Sequence, residues 1–265
     1  VQNALPERSI AVLPFADMSP DGDQEYFSDG MAEELLNLLA KIPELRVISR
    51  SSAFSLKDKN LDIPAIAKQL KVRHILEGSV RKAGNQVRIT AQLIDANSDA
   101  HLWSETYDRP MDNIFAVQDE IASVVVAKMK MTLLGDMPRS ATSDPEAYAL
   151  YLRARHMSRT SSQESRDQAV SLYEQSLAID PDYAPAWAGL ARTLNHIAGR
   201  AQENRQALAE RARQAALKAI QADPDNGYAY SVLAWNTQVF LTDIPEAVRL
   251  HKEALLRSPS DAAVI

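Results

Sequence analysis

The sequence predicts a two-part chain, an α/β unit followed by a unit made only of helices. Three observations carry this. The first half alternates short apolar runs, strict two-residue periodicity and helical spacing. From Pro145 onward every apolar pattern is helical. Between them the stretch from Gly135 to Asp144 is polar and lacks any period, which marks a boundary. The units expected are 8–135 for the α/β part, 136–144 for the linker and 145–265 for the helical part.

In the first unit Ser9 to Phe15 reads as a buried strand, ending at the loop Asp17 to Gly22. The segment EYFSDGMAEELLNLLAKI places Met31, Leu35, Leu38, Leu39 and Ile42 on one helical face, with Ser28 or Asp23 as candidate cap and Pro43 as the stop. Leu45 to Ser49 reads as a second strand, and Asp62 caps a helix from Ile63 to Leu70. His74 to Lys82 and Gln86 to Asp95 flank Ala83-Gly84-Asn85, a hairpin signal. Val87, Ile89, Ala91 and Leu93 alternate with Arg88, Thr90 and Gln92, so this strand has one buried face. Ala100 to Tyr107 is a further strand. A helix from Ile114 to Leu134 follows, with Asp112 as cap and Gly135 just past its end. The expected order is β-α-β-α-β-β-β-α, a mixed sheet with helices against it.

With 265 residues, 46% of them apolar, the chain can fill two cores. A net charge of −6 repels phosphate backbones and argues against nucleic-acid binding by this portion. With no Cys, disulfides, thiol catalysis and Cys-based zinc sites are excluded. No apolar run reaches the length that spans a bilayer, roughly 20 residues, so a membrane anchor is expected only outside this segment. The start at Val1 reads as that of a processed chain or an excised fragment, and the apolar stretch Ala262 to Ile265 reads as the start of a further repeat, with more repeats expected beyond it.

The second unit repeats itself. SLAIDPDYAPAWAGLA, KAIQADPDNGYAYSVLAW and EALLRSPSDAAVI each join the tail of one helix, a proline break and the start of another. The marker prolines Pro181, Pro224 and Pro259 are spaced by 43 and 35 residues. The longer interval implies an insert near Arg200 to Arg205, expected to lengthen a turn. Large residues such as Trp187 and Tyr230 alternate with the small residues Ala191, Ala212, Ala216 and Ala219, which allow close helix approach. These spacings resemble tetratricopeptide (TPR) repeats, whose period is about 34 residues. The segments SIAVLPFADMSPDGDQEYFSDGMAEELLNLLAKIPELRVISRSSAF, ILEGSVRKAGNQVRITAQLIDA and HLWSETYDR resemble the TolB N-terminal-like domain. The pairing implies a bacterial signalling protein with an upstream adenylate/guanylate cyclase or winged-helix DNA-binding domain. It also implies a periplasmic location, as part of an inner-membrane protein, with the cytoplasm as the alternative.

Catalytic signatures are not found. The loop Asp21 to Gly30 begins like a calcium loop, but Tyr26 and Ala32 occupy the positions that need Gly and Glu. The five histidines are scattered, and there is no G-x-S-x-G, Walker A or G-x-G-x-x-G. No metal and no cofactor is expected. Glu77 and Glu105 could form a carboxylate pair, or each could face solvent or pair with Arg81 or Arg88 across the sheet. Trp103 and Tyr107 share one strand face and are candidates for docking a partner, or for packing under the last helix of the unit. The resemblance to TPR repeats places Arg192, Asn195 and Asn236 on the concave face, suited to a peptide backbone or carboxylate.

The expected function is a non-catalytic sensory or regulatory module that binds a protein or peptide, or self-associates as a homodimer, and controls an upstream effector. A free-standing envelope assembly adaptor is the alternative, and an enzyme in its own right ranks last.

Overall fold

The structure, a computed structural model, describes residues 5–57, 59, 61–129, 144–160 and 162–258. The chain divides into two compact units, Val1–Ser140 and Ala141–Ile265. Gly135, the 136–143 part of the expected linker, Pro259 and Ala262 to Ile265 lie outside the described residues.

The first unit runs β1 (Ser9–Val12), β2 (Ala16–Asp17), α1 (Glu25–Ala40), β3 (Arg46–Val47), α2 (Arg50–Phe54), α3 (Ile63–Leu70), β4 (His74–Ala83), β5 (Gln86–Asp95), β6 (Ala100–Pro110), a 3-10 turn (Met111–Asn113) and α4 (Ile114–Lys128). The mixed sheet has the order β3-β1-β4-β5-β6, with β2 beside β4. β1 runs parallel to β3 and β4, while β4, β5 and β6 are antiparallel. Helices α1 and α4 pack against one another and against the sheet. On the opposite face α3 covers Ala11, Leu13 and Ile75 with Ile66, Ala67 and Leu70.

Several expectations shift. The first strand stops at Val12, and β2 resumes after Leu13-Pro14-Phe15; proline lacks the N–H that a central ladder needs. Ser49 leaves the second strand because its side chain accepts from the Ser52 N–H and caps α2. Neither Ser28 nor Asp23 caps α1: Ser28 lies within the helix, and Gln24 at the cap donates its N–H to Asp17 at 2.8 Å. Asp62 does cap α3, accepting from Ala65 N–H at 2.8 Å. Asp112 falls inside the 3-10 turn and Asn113 takes the cap position of α4. The hairpin turn narrows to Gly84-Asn85, with Gly84 at φ +57°, a left-handed conformation that glycine adopts without strain.

The second unit runs α5 (Pro145–Ser158), α6 (Gln163–Ile179), α7 (Ala184–Arg200), α8 (Arg205–Ala222), α9 (Gly227–Asn236), a π turn (Thr237–Leu241) and α10 (Ile244–Arg257). Short connections force α5/α6, α7/α8 and α9/α10 into antiparallel pairs, and each pair packs on the next. Asp144, Ser162, Asn226 and Asp243 cap their helices through side-chain oxygens. The insert near Arg200 does not lengthen a turn. The α7–α8 connection is only 201–204, and the extra residues extend α7 and α8 to 17 and 18 residues.

Candidate functional site

The helices of the second unit approach closely because their seams are small. Ala188, Ala219 and Ala229 meet in one apolar cluster flanked by Trp187, Ile220 and Tyr228. A Cβ on Gly189 would stand 2.5 Å from the Tyr173 ring, so glycine there lets that ring lie against α7. Tyr151 packs against Tyr173 and, edge-on at 5.2 Å, against Tyr183.

This close packing gathers long basic side chains. Arg155 donates to the Tyr151 hydroxyl at 2.7 Å. Burial pushes the Tyr173 phenol up to about 12, against the opposing pull of Arg155 and Arg159. Burial likewise raises Tyr228, while the nearby cations Arg192, Arg155 and Arg159 oppose the rise. One turn beyond Arg192, His196 stacks on Trp235 with centroids 6.3 Å apart. Burial, then the cations Arg192, Arg200 and Arg166, hold its pKa below the usual histidine range. Trp235 in turn meets Phe240 edge-on at 5.7 Å. A band of positive charge therefore crosses α5, α6 and α7 and ends on aromatic rings of α9 and the π turn. It stands out in a chain of net charge −6.

Of the residues expected on the concave face, Arg192 is exposed and belongs to this band. Asn195 and Asn236 do not line an open face; they are 3% and 1% exposed. Asn236 Nδ2 donates to Asn195 Oδ1 at 2.7 Å and to the Ala209 carbonyl at 2.9 Å, and Asn195 Nδ2 donates to the Val232 carbonyl at 3.3 Å. Burial between α7, α8 and α9 demanded partners for these amides, and they found one another. Sequence reasoning missed Arg155, Arg159, Arg166, Arg200, His196 and Tyr228. Arg192, His196 and Arg200 recur every fourth residue, a stripe visible in the sequence. Arg166 carries no such signal.

In the first unit Trp103 and Tyr107 do share a face, with ring centroids 6.4 Å apart. Tyr107 is buried at 2% exposure on the side that α4 covers, whereas Trp103 is half-buried. Both donate to Glu105 Oε2, at 3.3 and 3.1 Å. Glu77 and Glu105 form no pair. Glu77 stands opposite Gln92 and Glu105 opposite Ala91, which puts the two carboxylates on opposite faces. Arg88 pairs with Asp108, and Arg81 donates to the Met18 carbonyl. The acids around the calcium-like loop have partners of their own. Asp17 accepts from Ser19 and Gln24 N–H, Asp23 from the Gln24 amide, and Glu25 and Asp29 share Lys57. Among the described residues no group of three or more His, Asp or Glu could hold a metal ion. No described helix is long and apolar enough to cross a membrane.

Residues 6–124 match the family model of the HilA/YgeH-like transcriptional regulator, second domain. A Rhizobium meliloti (strain 1021) protein named "Putative adenylate cyclase 3" is 43% identical over 187 residues, covering 69% of this chain and 32% of its own length. The chain thus spans about a third of that relative. Among solved structures, the Arabidopsis OM64 TPR domain is 16% identical and superposes at TM-score 0.38, covering 45% of this chain and 88% of its own. TolB from Acinetobacter baumannii is 13% identical at TM-score 0.34, covering 46% of this chain and 28% of its own. By sequence, then, the chain is similar to a regulator's second domain over its α/β unit and, over more than two thirds of its length, to part of a cyclase-named protein.

Proposed function

We propose that this segment is a non-catalytic regulatory module of a larger bacterial signalling protein. Its second unit would act as a set of TPR-type repeats that bind a protein or peptide, and its first as a TolB N-terminal-like domain. Together they would control an effector domain elsewhere in the same polypeptide. The carrying observation is the relative with a cyclase name: similarity at 43% identity that reaches only 32% of its length leaves most of that protein for another domain. The regulator family matched by residues 6–124 fits the same reading, with a transcriptional output in place of a cyclase. Site chemistry agrees. The polar residues that converge in the helical unit are arginines and phenols, suited to recognition of an anionic partner rather than to proton shuttling.

Full-length protein tests this directly. Deleting the second unit, or replacing Arg192 with Glu, should change the rate of cyclic-nucleotide formation or the expression of a target promoter, while the 265-residue chain alone turns over nothing. Unchanged output in both variants would sink the reading. The location proposed is periplasmic, with any membrane anchor outside this segment, and alkaline phosphatase fused after the second unit should be active; an inactive fusion places it in the cytoplasm.

A further inference from the structure

A cavity of about 460 Å³ opens on the helical unit between α6 and α8, with α7 as its floor. That volume suits a small molecule. Glu174, Leu177 and Ala178 line it from α6, at the spacing that puts three residues on one helix face. Arg211, Gln214, Ala215 and Lys218 do the same from α8, and Trp187 and Leu190 close the bottom. Each residue turns a helix by about 100°, so Trp187 and Leu190 leave α7 nearly opposite to Arg192 and His196. The cavity therefore lies on the other side of α7 from the cationic band.

The neighbouring interval explains why it is open. Pro181, Pro224 and Pro259 set the register between repeats. Shifted by the same 43 residues, Ala178 becomes Gln221; shifted by 35, Ala215 becomes Leu250, and Arg211 and Lys218 become Glu246 and Glu253. Between α8 and α10 the same places thus carry more bulk and the opposite charge. Stacking of the helices requires neither the room nor the positive rim, since α9 and α10 pack without them.

The two rim cations differ. Arg211 is paired with Glu174, which cancels its charge. Lys218 has no carboxylate partner among the described residues, and its Nζ sits over the Trp187 ring, 4.3 Å from the centroid. The indole is fixed, with Nε1 donating to the Pro181 carbonyl at 2.7 Å. At an exposed site such a cation–π contact is weak, so the ammonium can leave it for an ion pair. One uncompensated cation beside Leu177, Leu190 and Ala215 calls for one negative charge on an apolar body. A phosphate, more highly charged and hydrated, would have to shed water for which the apolar walls offer no replacement. We propose that this cavity binds a small monocarboxylic acid, with its apolar body between Leu177 and Ala215 and its carboxylate drawing Lys218 off the indole. The site is separate from the partner-binding role proposed above and stands or falls without it.

The test is titration calorimetry on the 265-residue chain with phenylpropionate, the matching alcohol phenylpropanol, inorganic phosphate, and a Gly-Gly-Phe peptide with a free carboxylate. The acid should bind about tenfold more tightly than the alcohol. Lys218→Gln should weaken the acid about tenfold and leave the alcohol unchanged, a split that a merely structural lysine would not give. Ala178→Gln installs the next interval's residue at an exposed position. It should fill the cavity and abolish binding of both compounds, with the Tm of the second unit unchanged. Lys252→Gln removes an exposed cation from α10 and should leave binding as it is. Equal affinity for acid and alcohol, undiminished binding by Ala178→Gln, or displacement of the acid by equimolar phosphate would each overturn the proposal, as would no binding at millimolar acid. Tighter binding of the peptide than of the acid would give the cavity to a chain terminus and overturn the small-molecule assignment.

Discussion

In the α/β unit many of the fully buried side chains are large, Phe15, Phe27, Met31, Leu35, Leu39 and Ile75 among them. In the helical unit the seams are lined by Ala188, Ala191, Ala212, Ala216 and Ala219, with tyrosines filling the few wide spaces. One interior is filled by bulk between a sheet and its helices. The other is closed by bringing backbones together. The first should therefore suffer from lost volume and the second from added volume.

That contrast can be broken by substitution, and the tryptophans report each unit separately, Trp103 in the first and Trp187 and Trp235 in the second. Phe27→Ala should destabilise the α/β unit most, by about 4 kcal/mol, as an aromatic ring leaves a cavity. In urea the Trp103 transition should move while those of Trp187 and Trp235 stay in place. Ala216→Leu should destabilise the helical unit by about 2 kcal/mol through overpacking, with the reverse assignment of signals. A tolerated Ala216→Leu would show that the helices can separate, and would weaken the contrast.

Asn236→Leu should cost the helical unit about 2 kcal/mol, because the Asn195 amide and the Ala209 carbonyl lose their shared donor. Hydrogen exchange in α8 and α9 would show it as local loss of protection. A smaller, pH-dependent effect sharpens the comparison on the other side. Burial, opposed only in part by a hydrogen bond to the Ser9 carbonyl and by Asp95, lowers the pKa of His74 below 6.5. The folded form therefore holds His74 neutral while the unfolded chain takes up the proton first. Stability is complete above about 6.5 and falls as pH drops toward the folded value. His74→Gln should flatten this acid-side loss, measured on the Trp103 transition.

Much of this was legible in the sequence because it rests on period. The alternation from Val87 to Leu93 and the Gly84 turn identify β5 and its hairpin, and the proline breaks locate the helical pairs. β2 and α2 were not legible, since two strand residues and five helical ones are too few to display a period. The helix-lining asparagines were misplaced for a different reason. An amide on a helix reads as equally suited to a groove or to a buried seam, and only packing between α7, α8 and α9 decides. Arg166 sits among polar neighbours in SRTSSQESRDQ and reads as surface charge. Its burial exists only once α6 is laid beside its neighbours.

The last strand of the sheet carries a consequence for the protein in concentrated solution. β6 is 11 residues long, and among the described residues it pairs on one side only, with β5. A ladder of that length, left open, would recruit copies of itself and grow into fibres. Charges at Glu105, Asp108 and Arg109, and Pro110 at its end, interrupt such growth. Colloidal stability of the molecule thus depends on a few side chains that contribute little to its fold, and neutralising them should be felt first as precipitation rather than as unfolding.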